Sequence, residues 1–378
     1  MTEDPSVVKT AELSCPVCDE VVYPGEDFCE ACGHRLDEVA PAPPAAPVVR
    51  EAGGCTGCGA QAIDGDGYCE RCGLRQPADR DHIEIELPGP GGVLAAGASD
   101  RGRRYSRNED SFAIAAHSGG VAVVVCDGVG SSPDPDEASL AAAHTGVTEL
   151  VTLLEAGADP AAATRDAALR AAEAVAALAP SPDAAPSCTY VSAVTGPSTV
   201  TVGWVGDSRA YWLSAVPEAE VDTAEVDTGE FDVEEADTAE QNTADQGTAE
   251  VTALGASRQL TDDDSWAAIM VARGALTEAE AEAHPNAHVI TAWLGADADE
   301  VRPNVRTFSV PGPGAVLVCS DGLWNYLPRA EQLAAAAGDA AADPLGTVRG
   351  LVRHALEAGG RDNITVTVIP VAARGNGA

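Results

Sequence analysis

Residues 120–130 read GVAVVVCDGVG. A short uncharged, mostly apolar run ends abruptly at Asp127 and is followed by Gly128-Val129-Gly130. Such a run, closed by a turn signal, reads as a buried strand that delivers a carboxylate to its own end. Residues 315–319 (AVLVC) repeat this logic and run into Ser320-Asp321-Gly322. Residues 188–213 alternate as three strands that turn at Gly196-Pro197 and Gly206-Asp207. Residues 363–370 (NITVTVIP) alternate as a last strand, entered from Arg361-Asp362. Residues 136–155 and 160–179 are rich in Ala and Leu and low in Gly and Pro, which reads as two helices, and 343–358 reads as another. Strands and helices come in groups instead of alternating strictly. An α+β class with antiparallel sheets covered by helices is therefore expected, not a doubly wound parallel sheet.

The chemistry follows from the strand ends. Asp127, Asp207, Asp321 and Asp362 each sit where a strand meets a turn, and Glu109-Asp110 follow Asn108 and precede Ser111-Phe112. A strand end holds a carboxylate in place, while a neighbouring glycine leaves room for a ligand. Several hard oxygen donors converging at sheet edges suit Mg(II) or Mn(II). Two such ions can activate a water and clamp a phosphoryl oxygen. Each motif alone is more often a plain turn than a site; their number and order carry the reading.

Taken in order, SDRGRRYSRNEDSF (99–112), VVVCDGVG (123–130), SCTYVSAV (187–194), VGWVGDSRAYWL (202–213), LTDDDSW (260–266), HVITAWLGAD (288–297), LVCSDGLWNYL (317–327) and RDNITVTVI (361–369) resemble the metal-dependent protein phosphatases of type 2C, in their bacterial form. The resemblance runs from about residue 98 to 370. It implies a four-layer αββα sandwich of two antiparallel sheets flanked by helices. It implies hydrolysis of phosphoserine and phosphothreonine on proteins by a hydroxide bridging two Mn or Mg ions, without a phosphoenzyme. Asp127 would bridge the ions, the Gly128 carbonyl would ligate one, and Asp321 and Asp362 would complete the other. Glu109 and Asp110 would hold metal-bound water, and Asp207 a third, weaker ion. Residues 266–288 would form a flap beside the site.

The sequence departs from the family at three places. Tyr105 stands where members often carry a phosphate-binding arginine, with Arg104 and Arg107 on either side. Either guanidinium could grip phosphate in bidentate fashion. Ser187-Cys188-Thr189 replaces a Gly-Thr-Thr pattern, and Ala292-Trp293 an Arg-Ala pair. The remaining cysteines of this region, Cys126, Cys188 and Cys319, read as small buried apolar groups.

A different chemistry precedes this body, which is taken to span 91–371. Cys15, Cys18, Cys29 and Cys32 follow a Cys-x2-Cys-x10-Cys-x2-Cys spacing that Cys55, Cys58, Cys69 and Cys72 repeat. Four thiolates so spaced suit a tetrahedral Zn(II), whose binding would supply the folding energy of so small a unit. Disulfides, free thiols and a rubredoxin-like iron are the alternatives. The stretch resembles a double zinc ribbon, with units at 11–36 and 53–76 and a Pro/Ala-rich linker at 37–52. Two structural zinc ions and a contact with a protein partner are what that resemblance implies.

Residues 215–256 hold thirteen acidic and no basic residues, with a degenerate repeat of DTAE type. They read as a disordered acidic insertion between two strands. The whole chain carries a net charge of -38, and Lys9 is its one lysine. That charge argues against nucleic acid as a partner. The start, MTEDPSVVKT, lacks a basic region followed by an apolar run, and no stretch is long and apolar enough to span a membrane. A cytoplasmic protein acting on phosphorylated protein targets of a serine/threonine kinase is expected. A catalytically idle phosphoprotein-binding scaffold and a nucleic-acid-binding ribbon protein are the rival readings.

Overall fold

The computed structural model describes residues 13–14, 21–22, 55, 58, 60–64, 67–90, 92–181, 184–215, 252–310 and 312–372. The chain divides into two units, Met1–Val49 and Arg50–Ala378. In the first, Leu13–Ser14 (β1) pairs antiparallel with Val21–Val22 (β2). Cys15, Cys18, Cys29, Cys32 and the 37–52 linker lie outside the described residues.

The second unit begins with strands His82–Gly89 (β3), Gly92–Asp100 (β4), Asp110–His117 (β5) and Gly120–Asp127 (β6), then helices Pro135–Glu155 (α1) and Pro160–Ala176 (α2). Ser187–Cys188 (β7), Tyr190–Thr195 (β8), Thr199–Val205 (β9), Arg209–Ser214 (β10), Thr252–Ala253 (β11) and Arg258–Gln259 (β12) follow. Trp266–Ala272 (α3) and Glu278–Glu282 (α4) precede Leu294–Gly295 (β13), Asn304–Ser309 (β14) and Gly314–Cys319 (β15). The chain closes with Asp321–Trp324 (α5), Ala330–Ala337 (α6), Pro344–Glu357 (α7) and Ile364–Val371 (β16).

Two six-stranded sheets result, in the orders β12-β10-β15-β16-β4-β3 and β11-β14-β9-β8-β6-β5. Every neighbouring pair in them is antiparallel except β11–β14. The apolar runs are explained by where their two faces go. Val121, Val123 and Val125 of β6 point between the sheets, together with Val316 and Val318 of β15. Ala122, Val124 and Cys126 face α1 and α2. Ala315, Leu317 and Cys319 face α5, α6 and α7. Both faces of these strands are dry, so no polar alternation survives in them. This is the expected αββα sandwich, and Cys126, Cys188 and Cys319 are fully buried in it.

Helix ends are set locally. Asp159 accepts from the Ala161 and Ala162 amides ahead of Pro160, and Asp343 accepts from Gly346 ahead of Pro344. Helix α1 packs tightly because it is small on its inner face: a Cβ on Gly146 would lie 2.7 Å from the Tyr190 ring.

The structure differs from the sequence reading at both boundaries. β3, before the expected start at 91, pairs along β4, so the sheet begins earlier. Residues 216–251 of the acidic insertion lie outside the described residues. Its last residues are part of the fold: Thr252–Ala253 pairs with β14, and Leu254 is buried between the sheets. Among the described residues no helix is long and apolar enough to cross a membrane.

Candidate metal and phosphate centre

The fold gathers the predicted carboxylates at one end of the sandwich. Asp110 and Asp127 are cross-strand partners at the ends of β5 and β6. Asp321 follows the end of β15, and Asp362 precedes the start of β16, which pairs with β15. Asp207 sits in the β9–β10 turn. Glu109, Asp110 and Asp207 are buried, while Asp127, Asp321 and Asp362 keep partial exposure.

The electrostatics are those of like charges forced together. Burial, with the fields of Asp362 and Asp110, pushes the Asp321 carboxyl up to about 7. Burial pushes Asp110 up to about 7, against the bond it receives from Ser320. Asp207 is pushed up to about 8 by burial and then by Asp321 and Asp263. Asp127 is raised well above the usual carboxylate range by burial and by all four neighbouring aspartates. Glu109 and Asp362 move the same way, burial first. The Oδ1 atoms of Asp110 and Asp321 are buried without a hydrogen-bond partner among the described residues. A buried, crowded and partly unpartnered set of hard oxygens fits divalent cations, which remove both penalties at once.

Neutral side chains hold the carboxylates in place, and these escaped the sequence reading. Ser320 donates its hydroxyl to Asp110 Oδ2 at 2.7 Å and accepts from the Thr365 amide. Thr189 Oγ1 accepts from the Asp127 amide at 3.0 Å and bonds Ser208 beside Asp207 at 2.7 Å. The altered Ser187-Cys188-Thr189 stretch thus backs the Asp127 turn: Val129 donates to the Ser187 carbonyl and Gly128 bridges Cys188. Asn363 accepts from the Glu109 amide at 2.7 Å and donates to the Arg101 and Arg107 carbonyls. Two glycines are required by close approach. A Cβ on Gly128 would meet the Pro135 carbonyl at 2.5 Å, and one on Gly322 the Asn363 carbonyl at 1.8 Å.

The loop 101–107 rims this centre. Tyr105 faces it: the field of Asp362, burial, and then Glu109, Asp127 and Asp321 push its phenol up to about 12. Arg107 pairs with Asp136 at 3.0 Å and lies 3.9 Å from Glu109. Arg104 is exposed and in no ion pair among the described residues. On the far side, Arg209 forks onto Asp263 at 2.9 and 2.7 Å, lies over the Trp324 ring, and so is committed to structure. The predicted flap folds as α3 and α4, where Trp266 stacks on His284. His288 of the flap reaches the Trp324 ring, whose indole donates to the Asp207 carbonyl. Trp293 is half-buried and its indole donates to Asp297 at 2.9 Å.

A second cluster lies outside the sandwich. The thiols of Cys55, Cys58, Cys69 and Cys72 all lie within 4.8 Å of one another, with Cys55–Cys72 and Cys58–Cys69 at 3.6 Å. Four sulfurs around a tetrahedral zinc at about 2.3 Å stand roughly 3.8 Å apart, so the cluster has the right dimensions for one such ion.

An αββα sandwich with aspartates gathered at one end is the class of fold and site that the chain presents. The sequence profile of the Protein phosphatase 2C family matches residues 97–358, and the chain belongs to that family. Over 112 residues it is 39% identical to protein phosphatase PhpP of Streptococcus pneumoniae, covering 29% of this chain and 44% of that protein. The match therefore spans less than half the length of that relative. The fold is similar to the serine/threonine phosphatase PstP/Ppp of Mycobacterium tuberculosis, with a TM-score of 0.56, 24% identity, and coverage of 74% of this chain and 98% of that one. It is also similar to the catalytic domain of serine/threonine phosphatase PstP solved with two manganese ions, with a TM-score of 0.53, 24% identity, and coverage of 74% and 97%. At that identity the two structures speak for the fold.

Proposed function

We propose that the chain is a metal-dependent phosphatase of phosphoserine and phosphothreonine on proteins. The observation that carries this reading is the convergence of Asp110, Asp127, Asp207, Asp321, Asp362 and Glu109, with buried oxygens of Asp110 and Asp321 left unpartnered. Asp127, Asp321, Asp362 and the Gly128 carbonyl would hold two Mn(II) or Mg(II) ions, with Glu109 and Asp110 holding water of their shells. Asp207 would hold a third. Bound there, the ions neutralise the carboxylates, make a water acidic and draw charge from a phosphoryl group.

The chain's own residues do the rest. Ser320 and Thr189 keep Asp110 and Asp127 aimed, and Asn363 fixes both ends of the 101–107 loop. Arg104 is the better placed phosphate ligand, because Arg107 would have to leave Asp136. The Tyr105 phenol, facing the carboxylates with its proton firmly held, is a hydrogen-bond donor for a phosphate oxygen. The test is manganese-dependent release of phosphate from a phosphothreonine peptide. Turnover that disappears in Asp127→Asn supports the reading, while folded, metal-loaded protein without turnover sinks it and leaves a phosphoprotein-binding scaffold.

The ribbons complete the proposal. Two structural zinc ions are assigned, one to Cys55, Cys58, Cys69 and Cys72 and one to Cys15, Cys18, Cys29 and Cys32, and the units serve contact with a protein partner. Metal analysis of protein made without chelator should give two zinc ions per chain; less than one overturns the assignment. The acidic charge of the chain supports a protein over a nucleic acid as that partner.

A further inference from the structure

The second four-cysteine unit is wired to the loop that rims the centre. Tyr68, next to Cys69, bridges to Arg75, three positions after Cys72. The flanking backbone is closed by Cys69 donating to Leu74 at 2.9 Å and Gln76 donating to Gly67 at 2.7 Å. Arg75 therefore belongs to the small hairpin that the cysteines shape. Its side chain leaves the hairpin and spans to the body. It forks onto Asp81 at 2.6 and 2.5 Å, and its Nε donates to the carbonyl of Ser106. Asp81 also lies 3.5 Å from Arg101, whose amide donates to the Asp81 carbonyl and whose guanidinium donates to the Tyr105 carbonyl. Both carbonyls at the crest of the loop are thus taken by this Arg75–Asp81–Arg101 brace. The loop carries Arg101, Arg103, Arg104 and Arg107, a concentration of positive charge in a chain of net charge -38. Its two ends are fixed independently, by Asn363 on the Arg101 and Arg107 carbonyls.

We propose that the metal-loaded Cys55–Cys58–Cys69–Cys72 unit is the anchor of the substrate loop, with Arg75 as the positioning residue, so that affinity for phosphorylated substrate depends on metal in the ribbon. The physical reason is that a unit of this size has no core of its own. Without metal its hairpin does not hold Arg75 in one place, and a guanidinium that is not held cannot fix a loop. The catalytic carboxylates do not touch Arg75, so grip on substrate changes while the chemistry at the carboxylates does not. The inference rests on the phosphatase reading for its kinetic half only.

Hydrogen exchange at 101–107 in the full chain tests the anchoring directly, comparing wild type, Arg75→Ala and Cys72→Ser, with zinc content measured in each. Exchange there should rise roughly tenfold in both variants, with strands β6 and β15 unchanged. KM for a phosphothreonine peptide should rise roughly five- to tenfold with kcat within about twofold, and the double variant should be no worse than either single one. Arg75→Lys, which keeps a single donor, should fall between wild type and Arg75→Ala. If Arg75→Ala loosens the whole body, Arg75→Lys and Cys72→Ser decide. Wild-type exchange at 101–107 in zinc-depleted Cys72→Ser, or additive effects in the double variant, overturns the proposal. Absence of turnover in every form would strike the phosphatase reading while exchange still decides the anchoring.

Discussion

Cys55 and Cys72 lie 17 positions apart, and their cluster is complete within one short stretch. The bond between Glu109 and Asn363 at the other centre joins residues 254 positions apart. The two clusters also differ in what holds them. The aspartates stand at the ends of strands buried on both faces and are pinned by Ser320, Thr189 and Asn363. Of the cysteines, Cys58 and Cys72 stand on turns and Cys69 on an isolated bridge to Ile63, held by a few backbone bonds. In the first case the fold builds the site and stores repulsion in it. In the second, metal binding would build the fold. Four substitutions and one titration can break this contrast or sharpen it.

The largest effect should come from Asp127→Asn. Phosphopeptide kcat should fall roughly a thousandfold or more. Metal-free protein should melt higher instead of lower, since one of several crowded carboxylates is removed; each ~1 kcal/mol is worth about 2–4 °C in a domain of this size. A lower melting point would show that the repulsion is not stored. Gly322→Ala should come next. Its Cβ would lie 1.8 Å from a backbone carbonyl, and the shift this forces should cost roughly 2–4 kcal/mol by denaturant unfolding.

The titration follows. Asp110 and Asp321 are raised to about 7 and Asp207 to about 8 in the folded protein. Carboxyls raised on folding stabilise fully below their ordinary range and lose that contribution as pH rises through the folded values. Protein prepared without divalent cation should therefore melt progressively lower from about pH 5 to pH 8.5, and added manganese should raise the melting point most at the alkaline end. A flat profile would remove the crowding argument. Thr189→Val should lower kcat about tenfold, with about 1–2 kcal/mol of stability lost, because the Asp127 amide and Ser208 hydroxyl lose their partner. The smallest effect belongs to the other cluster. Cys58→Ser should remove one zinc per chain by metal analysis yet move the main melting transition by less than about 2 °C. A large drop would mean that the ribbon and the sandwich fold as one.

Legibility in the sequence followed the range of the interactions. Asp127 and Asp321 could be read because a doubly buried strand leaves a continuous apolar run that stops at the carboxylate. The cysteine spacing could be read because its ligands are local. Thr189 could not, because its partner amide is 62 positions away and nothing beside it signals the bond. β3 is hard to read in the sequence because an edge strand with one polar face that ends in Pro88-Gly89, just before Pro90, looks like the end of a linker. Leu254 was lost inside an acidic stretch because burial is decided by the strands it meets, not by its neighbours.

What the sequence alone determined was therefore the inventory and order: two four-cysteine units, an α+β body, and aspartates at strand ends in the pattern of one family. Backbone propensity, apolar periodicity and ligand spacing are properties of neighbours along the chain. Only the tertiary structure decided which oxygens are unpartnered, that Tyr105 faces the carboxylates where an arginine was expected, and that Arg75 reaches from the ribbon to the loop beside it. Those depend on which surfaces the two sheets bring within a few ångströms, where burial raises the cost of every unpaired charge.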